Sequence, residues 1–292
     1  MAKRIHLVHR IGNTKIVKNT FEGYYIKVSD NEKAVAVIVE ATSGTQIITS
    51  SGSFRGLDVK LTYDIKVNGL TPIKYDAMGP FKYFPFMECR HSVQSMNHRA
   101  TGKITIRPKN GQTQTFDFTN GHGYIEGDRG HSFPTRYFWT QCNVWEYPCH
   151  SVTSAERTHS EESQGRDRQP LSIMATCARI PYLGLKFWGA ICIIHYSGKE
   201  YRLASYLGAR IKQFDRDKIV VTQGLGKRRK TLTVTILDPN KNIHALQAPI
   251  KGRFTRTIYE SVFTAVRYKF TIGETTLFDV TSNAAAYEYS SI

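Results

Sequence analysis

The sequence contains few cysteines, and none of them forms a pair typical of a metal or redox motif. Its 292 residues include five isolated cysteines: Cys89, Cys142, Cys149, Cys177 and Cys192. An odd number without any C-x-x-C pair favours a reducing compartment and argues against a disulfide framework. The ten histidines form no H-x-H or H-x-x-x-H pair either, so the sequence predicts no metal site.

Long hydrophobic runs are also absent. No 18 consecutive residues are apolar, so no membrane-spanning helix is predicted. The charged first residues are not followed by an apolar stretch, so no secretory signal is predicted. The glycines at 224 and 226 lack the rest of a phosphate-binding loop, and there is no G-x-S-x-G motif. We therefore expect a soluble, cytoplasmic protein.

Negative charge is scarce relative to positive charge. Forty Lys and Arg residues against 24 Asp and Glu give a formal net charge of +16. The basic residues are scattered, apart from a run at 227–230 that lies between two strand-like segments. A net positive charge of this size favours encounters with polyanions and is compatible with peripheral contact with an anionic membrane. Because the charge is dispersed, specific nucleic-acid binding is not predicted.

Alternation of apolar and polar residues is abundant along the whole chain. Residues 103–107 alternate, an Asn-Gly turn follows at 110–111, and residues 115–118 alternate again, which is typical of a β-hairpin. Residues 231–236 place Leu, Val and Ile on one face and three Thr on the other. No segment shows a helical stripe over three turns. Many short strands predict an all-β fold, a sandwich or one or two antiparallel β-barrels.

One polar segment divides the chain. Residues 146–170 are nearly free of aliphatic side chains and cannot bury enough surface to offset the entropy of ordering them. We interpret this segment as an inserted linker. It separates a predicted N-terminal β-barrel domain, 1–145, from a predicted C-terminal β-barrel domain, 171–292.

The first of two segments that interrupt the alternation is 76–91. It contains two prolines and five large apolar residues, followed by Glu88, Arg90 and His91. On a strand, Glu88 and Arg90 would share one face and His91 would take the other. A carboxylate beside a guanidinium stays ionised, and a nearby His exchanges protons near neutral pH. Spacing alone favours a structural ion pair over a catalytic group here.

The second segment is 121–134, which we interpret as a polar loop. Four glycines within its first ten residues permit close approach of the main chain to a ligand. Glu126, Asp128 and Arg129 lie between aromatic residues. A carboxyl group held against aromatic walls can have a pKa suited to general acid catalysis. The alternative is a solvated surface turn, and the combination of glycine, charge and aromatics favours the functional interpretation.

Four segments resemble the tocopherol cyclase family, in particular its shorter, bacterial-type members. They read GPFKYFPFMECRHSVQSMNH at 79–98, GHGYIEGDRGHSFPTRYFWTQCN at 121–143, GKEYRLASYLGARI at 198–211 and KGRFTRTIYESV at 251–262. The resemblance runs from about residue 23 to the C-terminus, with 146–170 as an insertion. It implies two lipocalin-like β-barrels, and kinship with carotenoid hydratases and lipocalin-like Diels–Alderases. It also implies ring closure without a cofactor.

The residues and the resemblance together predict a cofactor-independent cyclase. Its substrate would be a hydrophobic prenylated or polyene molecule, and the ring closure would be acid/base-assisted or of a Diels–Alder type. The predicted catalytic residues are Asp128 or Glu126 as the general acid, Glu88 with His91 as its partner or base, and Arg129 and Arg90 as orienting groups. The predicted substrate-binding residues are Tyr124, Trp139, Tyr137, Phe84, Phe86 and Gln141.

Two other functions remain open at this point. A non-catalytic carrier of an apolar ligand would have a cavity without converging titratable groups. A binder of nucleic acid or of an anionic membrane would have a basic face of a single sign and salt-dependent binding.

Overall fold

The computed structural model describes residues 19–42, 59–108, 111–143 and 171–291. The predicted linker 146–170 lies outside these residues. Almost everything described is antiparallel β-strand, which confirms the predicted all-β class. Within these residues there are also three short 3-10 helices, at Gly79–Tyr83, Ser205–Leu207 and Gly226–Arg228. The described part contains no helix long and apolar enough to cross a membrane.

The first sheet has five strands in the order β2-β1-β5-β4-β3. The strands are β1 (Phe21–Ser29), β2 (Ala34–Thr42), β3 (Val59–Asn68), β4 (Cys89–Pro108) and β5 (Gln114–Gly130). The predicted hairpin at 103–118 joins β4 to β5, with Ile104 opposite Phe116. The predicted loop at 121–130 is wrong, because this segment is the second half of β5.

Glycines let β5 continue through this segment because neighbouring groups approach its backbone closely. A Cβ at Gly121 would lie 2.7 Å from the Ala100 carbonyl oxygen, and one at Gly123 would lie 2.0 Å from Nε2 of His98. The register between β4 and β5 also shifts in this region, between Ser95 and His98. Glycines and bulges give this part of the strand the amino-acid composition of a loop, and this explains why a loop was predicted.

The second sheet follows the order β10-β11-β12-β14-β15-β6-β7-β8-β9, with β13 paired to β14. Its strands are β6 (Arg136–Cys142), β7 (Leu171–Tyr182), β8 (Leu185–Tyr196), β9 (Lys199–Ala204), β10 (Arg210–Phe214), β11 (Lys218–Gln223), β12 (Lys230–Ile236), β13 (Ile243–Ile250), β14 (Arg253–Ile272) and β15 (Thr275–Ser291). β12 buries Leu232, Val234 and Ile236 on one face, as its alternation predicts. β6 belongs to this sheet, although it precedes the predicted domain boundary at 145.

Neither sheet closes into a barrel among the described residues, which corrects the barrel expectation. Five strands are too few to enclose a core, so the first sheet covers its apolar face by packing against the second. A shared apolar cluster fills this interface and includes Tyr25, Tyr124, Trp139, Met174 and Ala286. The second sheet buries its other face around a separate, larger core that includes Ile194, Val221 and Phe270.

Candidate active site

A cavity of about 890 Å³ lies between the two sheets. The first sheet contributes lining residues from β1, β2, β4 and β5, and the second sheet contributes lining residues from β6, β7, β8, β13, β14 and β15. Most of the wall is apolar or aromatic, and it includes Tyr25, Phe133, Tyr137 and Trp139. A cleft of this size with few polar groups is typical of a small-molecule site.

Strand alternation and register bring three titratable groups together in this cavity. Glu126 and Asp128 are two residues apart on β5, so their side chains share one face. The pairing of β4 with β5 places His91 directly opposite Asp128. Nδ1 of His91 lies 3.1 Å from Oδ1 of Asp128, and Nε2 lies 3.6 Å from Oε2 of Glu126. The imidazole ring therefore bridges the two carboxyl groups.

The two carboxyl groups control the charge of His91. Burial by itself lowers the pKa of the imidazole, but the charges of Asp128 and Glu126 and the hydrogen bond with Asp128 outweigh burial and raise the pKa to about 9. At neutral pH the ring is therefore protonated on both nitrogens, donating from Nδ1 to Asp128 and directing Nε2–H towards Glu126.

Glu126 combines deep burial with hydrogen-bond donors. The Tyr124 hydroxyl donates to Oε2 over 2.5 Å and Nε1 of Trp139 donates to the same oxygen over 3.2 Å. The residue is 5% exposed. Burial raises its pKa, while His91 and the two hydrogen bonds oppose this effect, and the result is a pKa of about 7. Because Oε2 accepts these bonds, Oε1 is left to carry the proton of the neutral acid.

Two further carboxyl groups reach the cavity from the second sheet, and sequence reasoning missed both. Glu260 lies on β14 and Glu288 on β15, and both line the cavity. Burial raises the pKa of Glu260 to about 7, although Tyr25 and the charge of Lys27 lower it. Burial and the charge of Glu260 raise the pKa of Glu288 well above its usual range, and the Tyr137 hydroxyl donates to Glu288.

The alternation of β14 contained a signal for Glu260. Arg256, Ile258 and Glu260 are buried at every second position, while Thr257 and Tyr259 between them are exposed. A charged residue on the apolar face of a strand is unusual and marks a candidate functional group. For Glu288 no comparable signal exists, because its neighbours on β15 are buried on both faces.

His91, Glu126 and Asp128 are also the residues that could hold a metal ion. Each offers a ligand atom, and these atoms lie within 4.8 Å of one another. A site of one imidazole and two carboxylates suits several divalent cations. The two imidazole nitrogens face different carboxyl groups, however, so the geometry supports proton transfer more directly than chelation.

The structure places seven of the predicted residues in or against the cavity. Glu88, which precedes β4, lines it together with His91, so these two are not on opposite faces as predicted. Tyr124 contacts Glu126 from within the shared cluster. The full set comprises Glu88, His91, Tyr124, Glu126, Asp128, Tyr137 and Trp139.

Five predicted residues lie elsewhere. Arg90 precedes the inward-facing His91 by one position, and Arg129 follows the inward-facing Asp128 by one position. The pleat of each strand therefore turns both arginines to the opposite face of the sheet. Nη2 of Arg90 donates to the Phe84 carbonyl oxygen instead. Phe84 and Phe86 are exposed, and Gln141 is buried without lining the cavity. Arg90 and Arg129 therefore do not face the carboxyl groups that they were predicted to orient, and the three predicted substrate-binding residues do not line the cavity.

Comparison with known proteins finds that part of the chain is similar to a known sequence family. A family model described as tocopherol cyclase-like matches residues 71–207. The predicted resemblance is confirmed over this segment, which is shorter than the extent expected from the sequence. It contains His91, Glu126 and Asp128. A comparison with curated protein sequences finds no match.

Two solved structures are similar to this chain at low sequence identity. The crystal structure of CghA is 8% identical with a TM-score of 0.50, covering 93% of this chain and 89% of that chain. The crystal structure of kievitone hydratase from Nectria haematococca is 12% identical with a TM-score of 0.46, covering 94% of this chain and 90% of that chain. At such identities the similarity to CghA is one of fold.

Proposed function

We propose that this protein is a cofactor-independent cyclase that closes a ring on a hydrophobic prenylated or polyene substrate by acid/base catalysis. The observation that carries this proposal is the Glu126 carboxyl group, which is buried beside an apolar cavity with a pKa of about 7. A carboxylic acid that stays about half protonated at neutral pH can supply the proton that an alkene needs. The tocopherol cyclase-like match over 71–207 supports the same chemistry.

The reaction would start with proton transfer from Oε1 of Glu126 to an alkene carbon of the substrate. The developing carbocation would lie against the faces of Trp139 and Tyr137, since aromatic rings attract cations. A hydroxyl group of the substrate would then attack this carbon and form the ring C–O bond. Asp128 would accept the proton that the hydroxyl group loses. One proton is added to the substrate and one is removed, so the reaction is an isomerisation without oxidation or reduction.

His91 would return the proton to the acid. Its ring lies between Asp128 and Glu126, with one nitrogen directed to each carboxyl group. The imidazolium can deliver its Nε2 proton to the Glu126 carboxylate, which restores the general acid and leaves the ring neutral with its proton on Nδ1. The proton that Asp128 accepted would then be released to solvent and Nε2 would take one from solvent, so that a full cycle consumes no net proton.

A carrier function is less well supported by the geometry. That hypothesis expects a cavity without converging titratable groups. Instead, four carboxyl groups with raised pKa values line this cavity: Glu88, Glu126, Glu260 and Glu288. Burying several carboxyl groups in one apolar cavity is costly, and groups with such shifted pKa values cluster at catalytic sites.

The test is turnover of a panel of prenylated quinols and polyenes by wild type, Glu126→Gln and Asp128→Asn. Loss of a general acid or base should reduce kcat by about 10²–10⁴-fold. Glu274→Gln is the control, because Glu274 is exposed and lies outside the cavity. Wild-type rates in both Glu126→Gln and Asp128→Asn would refute the catalytic assignment.

A further inference from the structure

Several of the most exposed apolar side chains form one surface patch. Tyr83 is 77% exposed, Phe86 78%, Leu183 71% and Leu185 74%. They come from two segments: 81–86, which starts within the first 3-10 helix, and 182–187, at the β7–β8 hairpin. We call these two segments together the rim. The two segments touch, since the rings of Phe84 and Tyr182 are 5.8 Å apart.

The rim borders the opening of the cavity. Phe81 and Phe187 stack with ring centroids 6.0 Å apart, and both line the cavity. The charge of Lys186 acts on Glu88, which also lines it. The apolar lining therefore continues through Phe81 and Phe187 to the exposed side chains outside. A hydrophobic molecule could follow these apolar side chains into the cavity.

Packing within the protein does not account for Phe86. Its backbone φ is 61°, a left-handed conformation that is uncommon for a large side chain and costs energy. Its ring is nevertheless mostly exposed, so burial recovers little of that cost in the free protein. A contiguous exposed apolar patch usually marks a surface for a partner or a membrane.

The two segments that form the rim carry positive charge only, and Glu88, the first acidic residue after 79–87, is partly buried and lines the cavity. In the sequence, segments 79–87 and 179–192 contain Lys82, Arg179 and Lys186 and no Asp or Glu. Nζ of Lys82 lies 4.9 Å from the centroid of the Tyr83 ring. Aromatic rings and aliphatic side chains bordered by lysines are the composition of an interfacial membrane contact, because the apolar groups enter the lipid while the ammonium groups meet the headgroups.

We propose that the rim docks this protein on an anionic lipid surface, with the cavity opening against the bilayer. Apolar contact through Tyr83, Phe86, Leu183 and Leu185 would supply the insertion. Lys82 and Lys186 would supply the preference for anionic lipid. The docked orientation lets a lipophilic substrate enter directly from the membrane. This inference goes beyond the proposed reaction and does not depend on it.

The experiment measures binding of the full chain to vesicles of phosphatidylcholine, with and without phosphatidylserine, by co-sedimentation. Wild type should bind the anionic vesicles. Phe86→Ser combined with Leu185→Ser should weaken this binding by at least about tenfold. Lys82→Gln and Lys186→Gln should each weaken binding to anionic vesicles roughly fivefold and leave binding to neutral vesicles unchanged.

The matched control is Leu225→Ser combined with Leu237→Ser. Both residues are exposed, and Leu225, 82% exposed, lies beside the basic run at 227–230, so it reproduces the composition of the rim at another place. This control should bind vesicles like wild type. Glu126→Gln should also bind like wild type, which separates docking from catalysis. All four lipid-contact substitutions are at the surface, and thermal unfolding checks that each variant is folded.

Three results would overturn the proposal. The first is an absence of wild-type binding to anionic vesicles. The second is loss of binding in the Leu225/Leu237 variant with full binding by the Phe86/Leu185 variant, which would assign the contact to Leu225 or Leu237 and not to the rim. The third is concentration-dependent dimerisation of wild type in sedimentation that the Phe86/Leu185 variant abolishes, without vesicle binding, which would make the rim a protein interface.

Discussion

The burial of Glu126 predicts a specific dependence of stability on pH. The folded protein raises the pKa of this carboxyl group from 4.5 to about 7. A raised acid pKa means that the folded state binds the proton more tightly than the unfolded state does. The stabilisation is complete below pH 4.5 and is lost as the pH rises through 7. Each pKa unit corresponds to 1.36 kcal/mol, so the loss is about 3 kcal/mol in full, of which about 2 kcal/mol develops between pH 5 and pH 7.

Glu126→Gln removes this titration and keeps the shape of the side chain. The free energy of unfolding of the variant, relative to wild type, should therefore increase by about 2 kcal/mol between pH 5 and pH 7. The comparison is restricted to pH 7 and below because His91 changes the free energy of unfolding increasingly above its unfolded pKa of 6.5. Its folded pKa of about 9 depends on Glu126, so this effect would differ between wild type and the variant.

The assay is urea unfolding at pH 5, 6 and 7, followed by fluorescence and analysed with a common m-value. It requires no knowledge of the substrate. Glu274→Gln is the matched control and should follow wild type, because its side chain is exposed. A constant difference between Glu126→Gln and wild type across the three pH values would refute the reasoning, since it would show that Glu126 does not change its protonation on folding in this range.

Three more predictions concern neighbours of the site. Tyr124→Phe removes a hydrogen bond that lowers the pKa of Glu126, so the descending limb of kcat/KM against pH should move to higher pH, and an unchanged limb would contradict this. Lys27→Met should be more stable than wild type at pH 7, because burial lowers the pKa of Lys27 to about 8. In wild type, burial of the charged ammonium group destabilises the folded state below pH 8, and this destabilisation disappears as the pH rises from 8 to 10.5. The free energy of unfolding of wild type, measured with urea, should therefore increase by about 2–3 kcal/mol over this range, and that of the variant should not. Gly123→Ala should lower the free energy of unfolding by about 1–3 kcal/mol, because the added Cβ would lie 2.0 Å from buried His98; an unchanged urea midpoint would contradict this.

The sequence alone determined the class of the fold and the neighbourhood of the site. Alternation depends only on residues two apart, so it identified β12 and the β4–β5 hairpin without knowledge of any distant contact. The composition of 121–134 singled out a segment that contributes to the cavity lining, although glycine made a strand resemble a loop, so the shared face of Glu126 and Asp128 was not predicted.

Only the tertiary structure decided which groups meet. His91 and Asp128 are brought together by the register of β4 against β5, and a shift of β4 by one residue would have turned Arg90 inward in place of His91. Glu260 and Glu288 reach the cavity because the second sheet packs over the first. The tertiary structure also decided that the sheets do not close into barrels, since among the described residues they pack face to face and stay open. Strand faces follow from local alternation, whereas register and sheet packing depend on contacts between residues far apart in the chain, and a local pattern does not contain them.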